Sequence, residues 1–99
     1  MNKIGQATED LEMRRKRLRF RAWHRGTREL DLLLGRFADA DAASFTAEEI
    51  AVFEALLEVP DPDLYAWITG GEPTPATHDS ALFRRLRAYH LEGRGRAEP

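Results

Sequence analysis

No cysteine occurs in the 99 residues. A disulfide framework, a thiolate metal site and a cysteine nucleophile are all excluded by that absence, which also fits a reducing compartment. Long apolar runs are missing too. Nothing approaches the roughly 20 apolar residues that a bilayer-spanning helix needs. The first ten residues hold no signal-peptide stretch, and Glu9, Asp10 and Glu12 stand where a transit peptide would be poor in acids. A cytoplasmic protein without membrane contact is expected. Neither G-x-x-x-x-G-K nor G-x-G-x-x-G is present, so no phosphate-cradling loop is visible. His24, His78 and His90 lie far apart and show no ligand spacing. No metal site, and no stably bound cofactor, is expected.

Lys and Arg are absent from Phe37 to Asp79, a stretch that carries ten acids. The basic residues crowd upstream instead. Arg14, Arg15, Lys16, Arg17, Arg19, Arg21, Arg25, Arg28 and Arg36 are opposed there only by Glu29 and Asp31. The net charge of -2 therefore hides strong segregation. If the two stretches fold apart, the molecule has a basic and an acidic face, which suits orientation of a charged partner. The length fits one domain. With 42% hydrophobic and 32% charged residues, the chain is too apolar for disorder.

The apolar residues recur at helical spacing throughout, and no segment alternates as a strand would. A first helix is predicted over about Glu9–Trp23, with Leu11, Leu18 and Ala22 inward and acids in its first turn. Gly26 stops it, and Thr27 is the expected N-cap of a second helix with the stripe Leu30, Leu33, Leu34, Phe37. Thr46 and Glu49 form a capping box for a third helix, with Phe45 stapled onto Ile50 and with Phe53 and Leu57 inward. Pro60 closes it. Asp61 as N-cap and Pro62 as first residue open a fourth helix, whose face is Leu64, Trp67 and Ile68 and whose end is Gly70-Gly71. A turn over Glu72–Pro75 leads to a fifth helix, Ala76–His90, with Leu82, Leu86 and Tyr89 inward. The fold class is all-α: a compact five-helix bundle in a single domain over 9–91, with flexible termini at 1–8 and 92–99, including a frayed tail from Arg94 to Pro99. Trp23 and Trp67 read as core or half-buried residues.

Chemistry is sparse. Glu48–Glu49 and Asp61–Asp63 sit at helix starts, where capping and the helix dipole explain them. Ser44 and Ser80 have no nucleophile motif around them. No catalytic residue is assigned, and a protein that works through its surface is expected rather than an enzyme. The segment that stands out is Arg25-Gly26-Thr27-Arg28-Glu29. It reads either as a tight helix–helix corner or as a corner that displays Arg25, Arg28 and Glu29 as a polar contact surface; spacing alone does not choose. A rival reading gives the Arg-rich first helix to nucleic-acid phosphates. The sequence pI of about 5.9 opposes it, since such domains are usually basic.

That segment matches the R-G-x-x-E signature of the SdhE-type FAD assembly factors, which the chain resembles from about Arg14 to His90. Leu18-Arg19-Phe20-Arg21-Ala22-Trp23-His24 precedes the signature and Leu30-Asp31-Leu32-Leu33-Leu34 follows it. Asp61-Pro62-Asp63-Leu64-Tyr65-Ala66-Trp67 lies at the expected distance downstream. The extended Arg-rich first helix resembles the alphaproteobacterial members. A monomer is expected. The resemblance implies a single-domain five-helix bundle that binds the flavoprotein subunit of succinate dehydrogenase, and in some bacteria that of fumarate reductase. It implies that the protein promotes covalent attachment of FAD to a histidine of that subunit, FAD being the partner's cofactor. Arg25, Gly26 and Glu29 then occupy the functional motif, with Arg28 and Asp31 beside it, as the partner-binding residues.

Overall fold

The computed structural model describes residues 3–92, with side chains from residue 11 onward. Among these residues there are five α-helices and no strand: α1 Lys3–Trp23, α2 Arg28–Asp41, α3 Ala47–Leu57, α4 Asp61–Thr69 and α5 Ala81–Leu91. Single 3₁₀ turns, Ala42–Ser44 and Ala76–His78, join α2 to α3 and α4 to α5. The all-α architecture is the expected one. The expected tail from Arg94 to Pro99 lies outside the described residues.

Each amphipathic stripe delivers its share of one core. Leu18 and Ala22 come from α1; Leu30, Leu33, Leu34 and Phe37 from α2; Ile50, Phe53, Leu56 and Leu57 from α3. Leu64 and Ile68 of α4 and Leu82, Phe83, Leu86 and Tyr89 of α5 complete it. Phe37 is the hub. Its ring centroid lies 6.1 Å from Phe45, 5.9 Å from Phe53 and 5.5 Å from Tyr89, distances at which tilted aromatic pairs attract. The α1 helix packs on α2 and α3, while α5 closes over α2, α3 and α4. Trp23 is half-buried because its indole lies on Gly35, where a Cβ would come within 2.2 Å of the ring.

Three boundaries differ from the sequence expectation, each for a local reason. Helix α1 starts at Lys3 rather than Glu9: no proline interrupts 3–8, and Gln6 and Ala7 favour helix. Residues 3–8 are thus helical where a flexible terminus was expected, and the first turn holds no acid. Helix α4 is capped by Pro60, with Asp61 and Pro62 as its first two residues, one register earlier than predicted. Helix α5 begins at Ala81, because the Ser80 hydroxyl accepts a hydrogen bond from the Phe83 N–H and so outcompetes the upstream start at Ala76. Thr27 is the N-cap of α2 but makes no side-chain capping bond. The Thr46–Glu49 capping box is present in both directions, at 3.1 and 3.0 Å.

The basic and acidic stretches do not form opposite faces. They lie side by side, and their charges pair. Arg14 meets Glu54 at 3.0 Å and Arg21 meets Glu58 at 2.6 Å, both from α1 to α3. Arg15 donates to the Phe45 carbonyl at 2.7 Å.

Candidate functional site

The site is the corner between α1 and α2, and its geometry starts with one backbone angle. Gly26 has φ +111°, a conformation that costs residues with a Cβ of the order of 1–2 kcal/mol. Its Cβ position faces open space, so the requirement for glycine is conformational and not steric inside the fold. The Asp31 carboxylate reaches back from the first turn of α2 and accepts from the N–H of Arg25 at 2.7 Å and of Gly26 at 3.1 Å. These two hydrogen bonds hold the backbone of the turn against the first turn of α2.

Arg25 then fixes the corner to the rest of the molecule. Its guanidinium donates to the Leu57 carbonyl, to the Val59 carbonyl at 2.6 Å, and to the Asp61 carboxylate through Nε at 2.9 Å. Its side chain is only 9% exposed. Leu57 ends α3 and Val59 lies just beyond it; the last carbonyls of a helix have no partner within it, and a cation suits that negative pole. Asp61 opens α4. One side chain therefore joins the α1–α2 corner, the end of α3 and the start of α4.

The five residues singled out in the sequence thus divide. Arg25 and Asp31 face inward and hold the turn. Gly26, Arg28 and Glu29 are exposed on it. The structure adds neighbours that sequence reasoning missed. A shallow cleft of about 410 Å³ beside the corner is lined by Thr27, Glu29, Leu30, Asp61, Pro62 and Tyr65. A second, of about 290 Å³, is lined by Phe20, Arg21, His24, Arg25, Leu57 and Asp61. Asp61 belongs to both, so the Arg25–Asp61 tie forms the ridge between them. Phe20 is 63% exposed and stacks on His24 with ring centroids 4.0 Å apart; Tyr65 is 42% exposed. A signal for both existed. Phe20 falls off the stripe of Leu11, Leu18 and Ala22, and Tyr65 falls off that of Leu64 and Ile68, so each is an aromatic on the outward side of its helix.

No group of metal-ligating side chains occurs among the described residues, and no helix there is long and apolar enough to cross a membrane. Resolved pKa shifts lie away from the corner. Hydrogen bonds from Arg85 and from the Thr46 backbone lower Glu49, and a hydrogen bond from Arg84 lowers Asp79. The corner is thus a pinned polar turn flanked by one mostly apolar cleft and one of mixed polarity.

Fold and site together define a small helical-bundle protein with a pinned glycine corner at its surface. Residues 16–90 match the family described as Sdh5, flavinator of succinate dehydrogenase, and the chain belongs to that family. It is 46% identical over 82 residues to the FAD assembly factor SdhE of Acetobacter pasteurianus, covering 83% of this chain and 75% of the relative. It is 36% identical over 89 residues to the mitochondrial succinate dehydrogenase assembly factor 2-A of Drosophila yakuba, covering 88% and 55%. A mitochondrial succinate dehydrogenase assembly factor 2 of Dictyostelium discoideum is 32% identical over 87 residues, covering 88% and 62%. The chain spans little more than half the length of these two mitochondrial relatives.

Proposed function

We propose that this chain is an assembly factor that docks on the FAD-bearing subunit of succinate dehydrogenase and promotes covalent attachment of FAD to it. The corner carries the reading: a turn pinned by Arg25 and Asp31 holds Gly26, Arg28 and Glu29 at the surface of a chain that belongs to a flavinator family. Gly26, Arg28 and Glu29 are the contact residues, and Arg25 and Asp31 are positioning residues. FAD is the partner's cofactor in this reading, and this chain contributes shape and charge.

Promotion of a reaction on another protein requires differential binding. The factor must hold the conformer in which attachment proceeds more tightly than the others, and each tenfold gain in that conformer's population needs about 1.4 kcal/mol of preference. A rigid corner serves this purpose because little ordering entropy is lost when it docks. Charge-assisted hydrogen bonds donated by Arg28 and accepted by Glu29 give it direction. The rival use of α1 for phosphate binding has weak support, since Arg14 and Arg21 are paired with Glu54 and Glu58.

Two substitutions test the proposal in a purified reconstitution of flavoprotein subunit, FAD and this chain. Glu29→Ala removes a contact at the surface. Gly26→Arg strains the turn and projects a side chain into the space the partner would occupy. Both should keep most of the helical signal in circular dichroism and lose the enhancement of covalent flavin incorporation. Normal enhancement by both would refute docking through this corner.

A further inference from the structure

We propose that the cleft between the starts of α2 and α4 receives a cationic side chain, arginine or lysine, from the flavoprotein partner. This rests on the docking reading above and names what the partner places there.

Glu29 lines the cleft, is exposed, and makes no ion pair among the described residues. Within α2 its i+3 and i+4 neighbours are Leu32 and Leu33, neither a cation, and the Arg25 guanidinium in the preceding turn is directed to Leu57, Val59 and Asp61. Arg28 is its immediate neighbour in the chain, and adjacent residues of a helix do not face each other. Glu29 is therefore a carboxylate without an internal counterion at the edge of a surface recess.

The remaining walls suit the rest of such a side chain. Leu30, Pro62 and Tyr65 give an apolar lining on which an aliphatic stem lies while its charged head stays near the rim. The partly exposed ring of Tyr65, which lines the cleft, adds an attraction that is specific to cations. A hydrated anion would gain nothing from these walls. The two helix starts that border the cleft do contribute positive partial charge. Glu29, Asp31, Asp61 and Asp63 outweigh that charge together with Arg25 and Arg28, leaving an excess of roughly one negative charge.

The test is a binding titration of the full chain against the purified FAD-bearing subunit of succinate dehydrogenase at several salt concentrations. Glu29→Gln keeps size and polarity and removes only the charge. It should weaken binding about tenfold and flatten the salt dependence. Tyr65→Leu keeps an apolar wall without the ring and should weaken binding about threefold, while Tyr65→Phe should bind like the wild type. Equal affinity of Glu29→Gln and wild type, as an apolar or neutral occupant would give, overturns the assignment. So does tighter binding of Glu29→Gln, the signature of an anionic occupant. A wild-type chain that fails to bind the subunit at all removes the docking reading and this inference together. Binding by the wild type with no response to Glu29→Gln removes the inference alone.

Discussion

A guanidinium carries five N–H donors in a rigid plane, and Arg25 directs them at two carbonyls and one carboxylate across the junction of α3 and α4. Lysine cannot reproduce that fork. Its three donors radiate from one point, so it would satisfy one acceptor well and leave the others poorly served. Alanine would leave the Asp61 carboxylate without its counterion and the Leu57 and Val59 carbonyls without this donor. Removal of one partner from such a mostly buried pair costs about 3 kcal/mol. Arg25→Ala should therefore lower the urea midpoint strongly, and Arg25→Lys should lower it less. Docking should weaken in step with the lost stability, because Arg25 acts by placing Gly26, Arg28 and Glu29. An arginine that touched the partner directly would instead lose docking while the midpoint stayed unchanged. The sequence identified Arg25 as part of the motif, but not the direction in which it points. Its partners lie 32 to 36 residues away, beyond the reach of any local pattern.

At the level of elements, local reciprocity was legible and distant competition was not. The Thr46–Glu49 box is a three-residue rule, and it holds. The start of α5 needed a choice among several polar residues between Ala76 and Ser80, which depends on where α5 meets the core. Glu49 has a second task that the sequence did not reveal. Its carboxylate also accepts from Arg85 of α5 at 2.9 Å, so the cap of α3 is bolted to the last helix. The Arg85 hydrogen bond, followed by that of the Thr46 N–H, holds Glu49 below its ordinary value of 4.5. A carboxylate depressed in the folded state binds a proton more readily when unfolded. Its stabilisation is therefore complete above the ordinary value and is lost as pH falls through the lower, folded-state value. Glu49→Gln supplies an amide oxygen that can still accept from the Thr46 N–H but loses the charge facing Arg85. Thermal unfolding of wild type and Glu49→Gln should differ at neutral pH, and the gap should close as the pH drops below 4.5. A gap that persists in acid would assign the effect to hydrogen-bond geometry and not to charge.

Across the whole molecule, the charge segregation of the sequence serves mutual neutralisation along a seam. Arg14, Arg21 and Arg25 meet Glu54, Glu58 and Asp61 in the same order, so α1 and the α3–α4 segment are registered by charge as well as by their apolar faces. The composition showed the two stretches, and only the packing of α1 beside α3 shows that they answer each other. The Arg14–Glu54 and Arg21–Glu58 rungs are the more exposed ones, with Glu54 29% and Glu58 73% exposed, and surface pairs contribute about 0–1 kcal/mol. Their larger effect is on partner choice. An arginine already paired with a carboxylate is a poor ligand for phosphate, since the existing bond must break first. Glu54→Gln with Glu58→Gln should therefore cost about 1 kcal/mol or less in stability and release Arg14 and Arg21 from these carboxylates. The double variant should acquire measurable, steeply salt-dependent affinity for duplex DNA at low ionic strength, where the wild type binds weakly. If the wild type binds duplex DNA as tightly and with as steep a salt dependence as the double variant, the carboxylates of α3 do not restrain the arginines of α1. The helix would then be open to phosphate partners despite the seam.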